Sequence, residues 1–585
     1  MEADWIDVKK KLGEIFYEIS QNMGEFDADF NPEVRVAEPH FGDFQVNGVL
    51  SFAKKNKKNP HELGKKLLTK AQRSKHLATC SLELSGPGFV NIRLTPEFLR
   101  QWARYFCGRC DFSRRLEGRT IVVDYSSPNT AKQMHVGHLR SMIIGEAIQR
   151  LLRFCGANVI RDNHLGDWGT QFGILIMAIK RAGIDVAAMD PETALDEFER
   201  IYKEGVALTK YDEKFLNNAR RELVALQGGD PENRAIWEAI NGASYRAFEE
   251  IYGQMGIAFD CVLGESFYRD QTDRVCDELE SLKIAEKNQG ALVAFHRDHG
   301  RFKDQPFLIR KSDGATNYAT TDLATVLYRH ETFHADGMIY VTDGRQQDHF
   351  QQLFLTVERW FSAKNIPLPE LKHVWFGTVL GEDGRAIRTR SGESIKLKQL
   401  IGEGVARASA IVAQKNPSLG EVEREKIARV VGIGAIKYAD LSQNRTNDYL
   451  FSWDKMLSFD GNTAPYLLYA IARIYALFQR LGVTSGGEYL PENMAIFSTA
   501  EELSLARKLV HFPSVIGQAL EDLRPHYLCT YLFELASEFS SFYNADRMIG
   551  VAPDILEKRL LLCRFTLYVL ETGLDLLGIE TLERM

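Results

Sequence analysis

Between residues 120 and 163 the spacing of apolar positions changes twice. TIVVDYSS (120–127) is β-branched and apolar in its first half, which predicts a buried strand. From Leu139 to Phe154, Met142, Ile143, Ala147, Ile148, Leu151 and Leu152 fall on one face at helical spacing, and Gly156 supplies a stop. ANVIRDNHLGDWG (157–169) then reads as a second strand and its loop. Strand, helix and strand in this length predict a βαβ crossover of a parallel sheet. GMIYVTDG (337–344) continues the alternation as a strand and HFQQLFLTVERWF (349–361) as a helix. The expected fold class is therefore α/β, with a Rossmann-type doubly wound parallel sheet.

Other patterns flank this unit. Trp5, Val8, Leu12, Ile15 and Ile19 are helically spaced. In SLELSGPGFVNIRL, Gly86, Pro87 and Gly88 predict a turn between two short strands, so residues 1–110 read as an α+β domain. Helical, charge-rich segments such as DEFERIYKEGVALTKYDEKF predict a helical insertion over about 186–290 within the α/β domain of 111–450. From 455 to 585 every segment has helical period, which predicts an all-α helix bundle. SLGEVERE (418–425) and TSGGEYLPEN (484–493) read as loops.

Composition adds little to this picture. Of 585 residues, 45% are hydrophobic and 26% charged, and the net charge of −7 neither demands nor excludes a nucleic-acid partner. No apolar run approaches a membrane span and the first residues are charged, so a cytoplasmic protein without membrane attachment is expected. Eight cysteines are mostly scattered. Cys107 and Cys110 have metal or redox spacing, but no second pair completes a four-ligand site, so free thiols are the expected state and no metal site is assigned. Residues 54–75 carry nine Lys or Arg against one Glu, which suits a solvated helix face or a phosphate-backbone contact.

The candidate chemistry lies in PNTAKQMHVGH (128–138), between the first strand and its helix. Ligands of open parallel sheets bind at that carboxyl edge, where free N–H groups and the helix dipole favour phosphate. Gly137 allows close approach of a ligand to the backbone. His135 and His138 can donate hydrogen bonds to phosphate oxygens as charge develops, and Lys132 adds an ammonium. Nucleotide phosphates are the ligand this pattern fits.

His135-Val136-Gly137-His138 resembles the HIGH signature of class I aminoacyl-tRNA synthetases, and SSPNTAKQMHVGHLRS is similar to the arginyl-tRNA synthetases in particular. NHLGDWGTQFG, LGESFY, TNYATTDLAT, YVTDGRQQDHFQQ, LSFDGNTAPYLLYAIARI and LETGLDLLGIETLERM resemble that family in the same order, over nearly the whole chain. The resemblance implies activation of L-arginine with ATP, usually with Mg²⁺, and transfer to the 3′ end of tRNA(Arg). It implies catalytic roles for Lys132, His135 and His138, and ATP contacts from these residues, Gly137 and Arg390. It implies an arginine pocket of Asp124, Ser126, Asn129, His135, Tyr318, Asp322 and Gln346. A guanidinium calls for such carboxylate, amide and hydroxyl acceptors. Read without the resemblance, Asp124 is a cap on the loop that follows it.

The second class I signature, KMSKS, is missing. Residues 383–392 stand there with Arg385, Arg388 and Arg390, and the family's pattern gives the missing ammonium to Lys132. The N-terminal domain is expected to meet the tRNA elbow through Phe44, Gln45, Asn47 and the Lys-rich stretch, with Phe44 stacking on a base. The C-terminal domain is expected to read the anticodon through Tyr469, Arg473, Tyr543 and Met585. A monomer is expected. Two other readings stay open: a small HxGH nucleotidyltransferase, and a synthetase-like tRNA-binding protein without catalysis.

Overall fold

The computed structural model describes residues 5–38, 40–106, 111–190, 193–381, 383–385, 387, 394–484 and 494–585. They form two compact units, residues 1–115 with 414–434 and 457–585, and residues 116–413 with 435–456.

The first unit opens with α1 (Val8–Gln21), whose first turn is capped by Asp7 accepting the Lys10 N–H. An antiparallel sheet follows in the order β1 (Val34–Val36), β2 (Phe44–Val46), β4 (Phe89–Leu94), β3 (Cys80–Ser85). The 86–88 turn joins β3 to β4, with Gly86 and Gly88 at positive φ. Helices α2 (Gly48–Lys55) and α3 (Pro60–Ala71) carry the Lys-rich stretch, and their lysines are exposed. α4 (Pro96–Phe106) closes this part.

The second unit holds a four-stranded, wholly parallel sheet of β5 (Thr120–Asp124), β6 (Asn158–Asp162), β10 (Gly337–Asp343) and β11 (Glu370–Phe376), ordered β11-β10-β5-β6. α5 (Val136–Phe154) is the crossover from β5 to β6, and Gly156 follows it at φ +91°. After α6 (Thr170–Ala182) come α7 (Ala194–Leu208), α8 (Glu213–Gln227), α9 (Pro231–Gln254), α10 (Glu265–Tyr268) and α11 (Thr272–Ser281). The helical stretch gives way to an antiparallel sheet, β7 (Glu286–Asn288), β8 (Ala291–Ala294) and β9 (Phe307–Arg310), which the apolar pattern did not signal. Two further helices, α12 (Tyr318–Phe333) and α13 (Gln347–Ala363), bury Leu323, Leu327, Leu353 and Trp360 against Val122 and Met338 of the parallel sheet.

α14 (Leu397–Lys415) is followed by α15 (Glu421–Leu441). α15 corrects the loop expected over 418–425: with no glycine or proline after Gly420, Glu421 and Glu423 sit at the helix start, where the dipole favours them. The 484–493 loop lies outside the described residues apart from Thr484. A short helix, α16 (Trp453–Met456), precedes the terminal bundle of α17 (Ala464–Leu481), α18 (Ala500–Val510), α19 (Phe512–Asp522), α20 (His526–Ala545) and α21 (Pro553–Leu576). A buried ion cluster ties three of the bundle's segments. Glu502 accepts from Lys558 at 2.7 Å and Arg559 at 2.8 Å, and Arg559 also reaches Asp546 at 2.7 Å. The same unit joins the sheet to the bundle, with Asp43 paired to Arg507 at 3.1 Å.

Candidate active site

β5 and β10 are parallel neighbours, so their carboxyl ends open on the same edge of the sheet. The loop after β5 is strained. Ser126, Ser127 and Ala131 have φ of +73°, +45° and +63°, a region L-residues occupy at a cost of about 1–3 kcal/mol each. Each of the three has its N–H held by a side chain from another element. Ser126 donates to Ser141 Oγ of α5 at 2.9 Å, Ser127 to Asn163 Oδ1 after β6 at 3.0 Å, and Ala131 to Ser244 Oγ of α9 at 2.9 Å. Ser141 in turn donates to the Val341 carbonyl of β10 at 2.6 Å. The Ser126 hydroxyl lies 2.8 Å from the Tyr252 hydroxyl, which also accepts from Asn163.

The loop ends in the HxGH turn. His135 is the N-cap of α5, and its Nδ1 accepts the Gly137 N–H at 3.0 Å. His138 Nδ1 accepts the His135 N–H at 3.1 Å. Both Nδ1 atoms are acceptors, so each neutral ring carries its proton on Nε2, directed away from the backbone it caps. Burial pushes the His138 imidazole down to about 3, helped by His135 and Lys132 nearby, although part of the residue still meets solvent. Burial lowers His135 as well. The two rings therefore offer N–H donors without positive charge. Gly137 has a reason beyond ligand approach: a β-carbon there would lie 2.8 Å from His135 Cε1 and 2.9 Å from Nδ1. The cap and the glycine require each other.

Positive charge comes from Lys132, which is exposed. Its ammonium stands 5.1 Å from the centre of the Tyr202 ring of α7. The segment leaving the second signature region is bonded to the same turn, with Val136 donating to the Ile395 carbonyl at 3.0 Å and Leu397 to that of Met134 at 2.9 Å. Arg385 lies in a tight turn, its N–H on Asp383 Oδ1 at 3.0 Å. Arg388 and Arg390 lie outside the described residues, as do Cys107 and Cys110.

The expected arginine pocket divides in two. Asn129 is exposed, and its backbone pairs with Gly166. Tyr318 and Asp322 share a face of α12, and His349 of α13 joins them: its Nε2 is 2.5 Å from Asp322 Oδ2 and its ring 4.9 Å from that of Tyr318. Tyr318 is 64% exposed and so open to a ligand. Gln346, at the N-cap of α13, is exposed too. Asp124 is different: it is buried, and its carboxylate already has partners within the protein. Its Oδ2 accepts from Arg329 Nη2 at 2.6 Å and its Oδ1 from the Ser127 hydroxyl at 2.9 Å. Arg329 is wholly buried and also bound to Asp162 at 2.7 Å. An internal guanidinium already occupies Asp124, and burial of the pair leaves that carboxylate little surface.

Sequence reasoning missed Glu265. Burial raises this carboxyl to about 7, with Asp322 and Asp167 pushing the same way and His164 opposing. No hydrogen bond to its side chain is present among the described residues. The signal was in view, since Glu265 lies in LGESFY, but only as part of a pattern.

The expected tRNA contacts lie in the first unit. Phe44 is fully buried in β2, its ring 5.1 Å from that of His511, so the expectation that it stacks on a base is corrected. The strand turns Phe44 and Val46 inward and leaves Gln45, bonded to Asn91 at 2.6 Å, on the outer side. Asn47 is half-buried and precedes α2. Tyr469 is 51% exposed. The Arg473 guanidinium lies 3.9 Å over the Tyr543 ring and donates to Asn544 at 2.8 Å. Met585 is partly exposed at the chain's last position.

Three family models match the chain: arginyl tRNA synthetase N terminal domain over 7–94, tRNA synthetases class I (R), catalytic domain over 110–453, and DALR anticodon binding domain over 467–585. The arginine–tRNA ligase of Alteromonas mediterranea is 40% identical over 97% of this chain and 98% of its own. That of Proteus mirabilis is 41% identical over 95% and 96%. The crystal structure of arginyl-tRNA synthetase from Plasmodium falciparum superposes with a TM-score of 0.84 at 28% identity, covering 99% of both chains. The Thermus thermophilus enzyme, at 24% identity, shares the fold with a TM-score of 0.82 over 99% of this chain and 100% of its own. The site described above and these matches lead to one conclusion: the chain belongs to the arginyl-tRNA synthetases of class I.

Proposed function

We propose a residue-level course for the reaction of this arginine–tRNA ligase. The arginine guanidinium is held by the carboxylates of Asp322 and Glu265, with Tyr318 and Gln346 on the α12–α13 side and Ser126, Asn129 and His135 on the loop side. Asp124 acts through Arg329 and Ser127, fixing the loop. ATP lies with its phosphates at the start of α5, against Gly137. The arginine carboxylate attacks the α-phosphate, a bond forms to phosphorus, and pyrophosphate leaves. His135 and His138 donate from Nε2 to the oxygens that gain charge, and Lys132 supplies the ammonium that KMSKS supplies elsewhere in class I. Arg390 joins the ATP side. Transfer of the arginyl group to the 3′ end of tRNA(Arg) follows.

Mg²⁺ comes with ATP, which usually holds this ion through phosphate oxygens and water. No group of three His, Cys, Asp or Glu able to cage a metal is present among the described residues, so no protein ligand is assigned. Residues 1–110 meet the tRNA elbow through Gln45, Asn47 and the exposed lysines of α2 and α3. Residues 455–585 read the anticodon through Tyr469, Arg473, Tyr543 and Met585. No helix among the described residues is long and apolar enough to cross a membrane. A cytoplasmic monomer completes the reading, with the six described cysteines as free thiols.

The observation that carries this reading is the HxGH turn, with two Nε2 donors and one exposed ammonium at a helix start. Arginine-dependent ATP–pyrophosphate exchange, with and without tRNA(Arg), tests it. Exchange should require both arginine and the tRNA. Exchange supported by lysine in place of arginine would overturn the substrate, and exchange without any amino acid would favour a nucleotidyltransferase.

A further inference from the structure

We infer that Tyr202, on the helical insertion, is a positioning residue for Lys132, holding its ammonium beside the phosphate site through adenylate formation. The inference rests on the role given to Lys132 above. Lysine is a flexible, strongly hydrated point charge, so an exposed lysine on a loop is not aimed by its backbone alone. Here the preceding backbone is held by the Ala131–Ser244 bond, which leaves the side chain to be aimed. No carboxylate pairs with Lys132 among the described residues; its charged head meets an aromatic face instead.

That choice suits a group that must stay available to phosphate. A ring attracts a cation through its quadrupole, weakly at a partly exposed site, and leaves its charge unneutralised. A carboxylate in the same place would form a charge-assisted bond and compete with the phosphates for the ammonium. The nearby acid on α7, Glu199, is paired with Lys203 at 3.1 Å. α7 is itself tied to the catalytic turn. Asp196 accepts from Gln133, the residue after Lys132, at 3.0 Å, and is ion-paired to Lys396 beyond the second signature region. One helix thus fixes the turn at Gln133 and presents the ring to its neighbour.

Single-turnover adenylation by the full-length enzyme with tRNA(Arg) tests the inference. Tyr202→Leu should slow the step about 5-fold, the rate equivalent of one weak cation–π contact, with the ATP KM unchanged. Tyr202→Phe keeps the ring and should restore the rate. Lys132→Ala/Tyr202→Leu should be no slower than Lys132→Ala, because the second change acts only through the ammonium. A wild-type rate for Tyr202→Leu beside a slow Lys132→Ala would overturn the Tyr202 role alone. So would a slow Tyr202→Phe, or a 5-fold loss that persists in the Lys132→Ala background. A near-normal Lys132→Ala would instead remove the Lys132 reading itself.

Discussion

The Nδ1 atom of His138 accepts the backbone N–H of His135 at 3.1 Å, which leaves the proton of the neutral His138 ring on Nε2. The ring is therefore a helix cap on one side and a hydrogen-bond donor on the other. His138→Asn should keep an acceptor near Nδ1 and lose the donor at the reach of Nε2. We expect α5 to stay capped, while adenylate formation slows by roughly 10²–10³-fold, the usual cost of one donor to developing charge. Full activity in this variant would mean that the cap is the residue's whole contribution.

The same ring gives a pH prediction. Burial holds it at about 3, against about 6.5 in the unfolded chain. Between those values the unfolded chain binds a proton that the folded one refuses, so this contribution to stability is lost as pH falls below about 6.5. The imidazole resonances of His138 should not titrate between about pH 5 and 8, and a midpoint near the usual histidine value would contradict the geometry.

Asp124 and Asp322 should separate in their effects. Asp124→Asn breaks a buried pair with Arg329 and should cost about 3–5 kcal/mol of stability. Asp322→Asn, at a partly open site, should spare stability and raise the arginine KM about 10²-fold, since the guanidinium loses a charged acceptor. Thermal unfolding and exchange kinetics on both variants check this. An unchanged melting temperature for Asp124→Asn, with the arginine KM raised, would place its carboxylate against the substrate after all.

Glu265 should make arginine binding depend on pH. Its carboxyl is raised to about 7, so the folded protein keeps a proton that the unfolded chain has lost. This favours folding at low pH, and the benefit fades as pH rises through 7. Arginine prefers the ionised carboxylate, so its KM should fall up to about 10-fold per unit as pH rises toward 7 and level off above it. Glu265→Gln should flatten the profile. A wild-type slope in that variant would assign the titration to another group.

Phe44→Ala should behave as a core mutation, costing about 3–5 kcal/mol of stability while leaving tRNA affinity intact in the remaining folded protein. Arg473→Ala should do the opposite, weakening tRNA(Arg) binding with little change in melting temperature. Filter binding at low temperature separates the two. A loss of affinity in folded Phe44→Ala would return the ring to the RNA surface.

Legibility in the sequence followed the length of the patterns. The β5–α5–β6 crossover spans more than forty residues and both periods, and its ends were read closely. The terminal bundle was equally plain, because its helices repeat one period many times. β7 to β9 have three or four residues each, too few to establish alternation, and β11 has a mixed surface that breaks the apolar run. Phe44 was misread because a three-residue strand does not say which of its faces is buried. Asp124 was legible as a loop cap but not as a partner of Arg329, 205 residues away. Glu265 needs its neighbours from α12 and the 164–167 loop before its burial means anything.

The strained loop between β5 and α5 is held at three residues by acceptors from α5, α9 and the segment after β6. Its shape is completed when the chain folds, and a nucleotide meets a finished surface. Association should therefore carry little of the unfavourable ordering entropy that a mobile phosphate loop would bring. The same dependence limits transplantation. Residues 120–140 grafted onto another parallel sheet would bring the signature but leave Ser141, Asn163 and Ser244 behind, and the three left-handed residues would relax toward ordinary backbone.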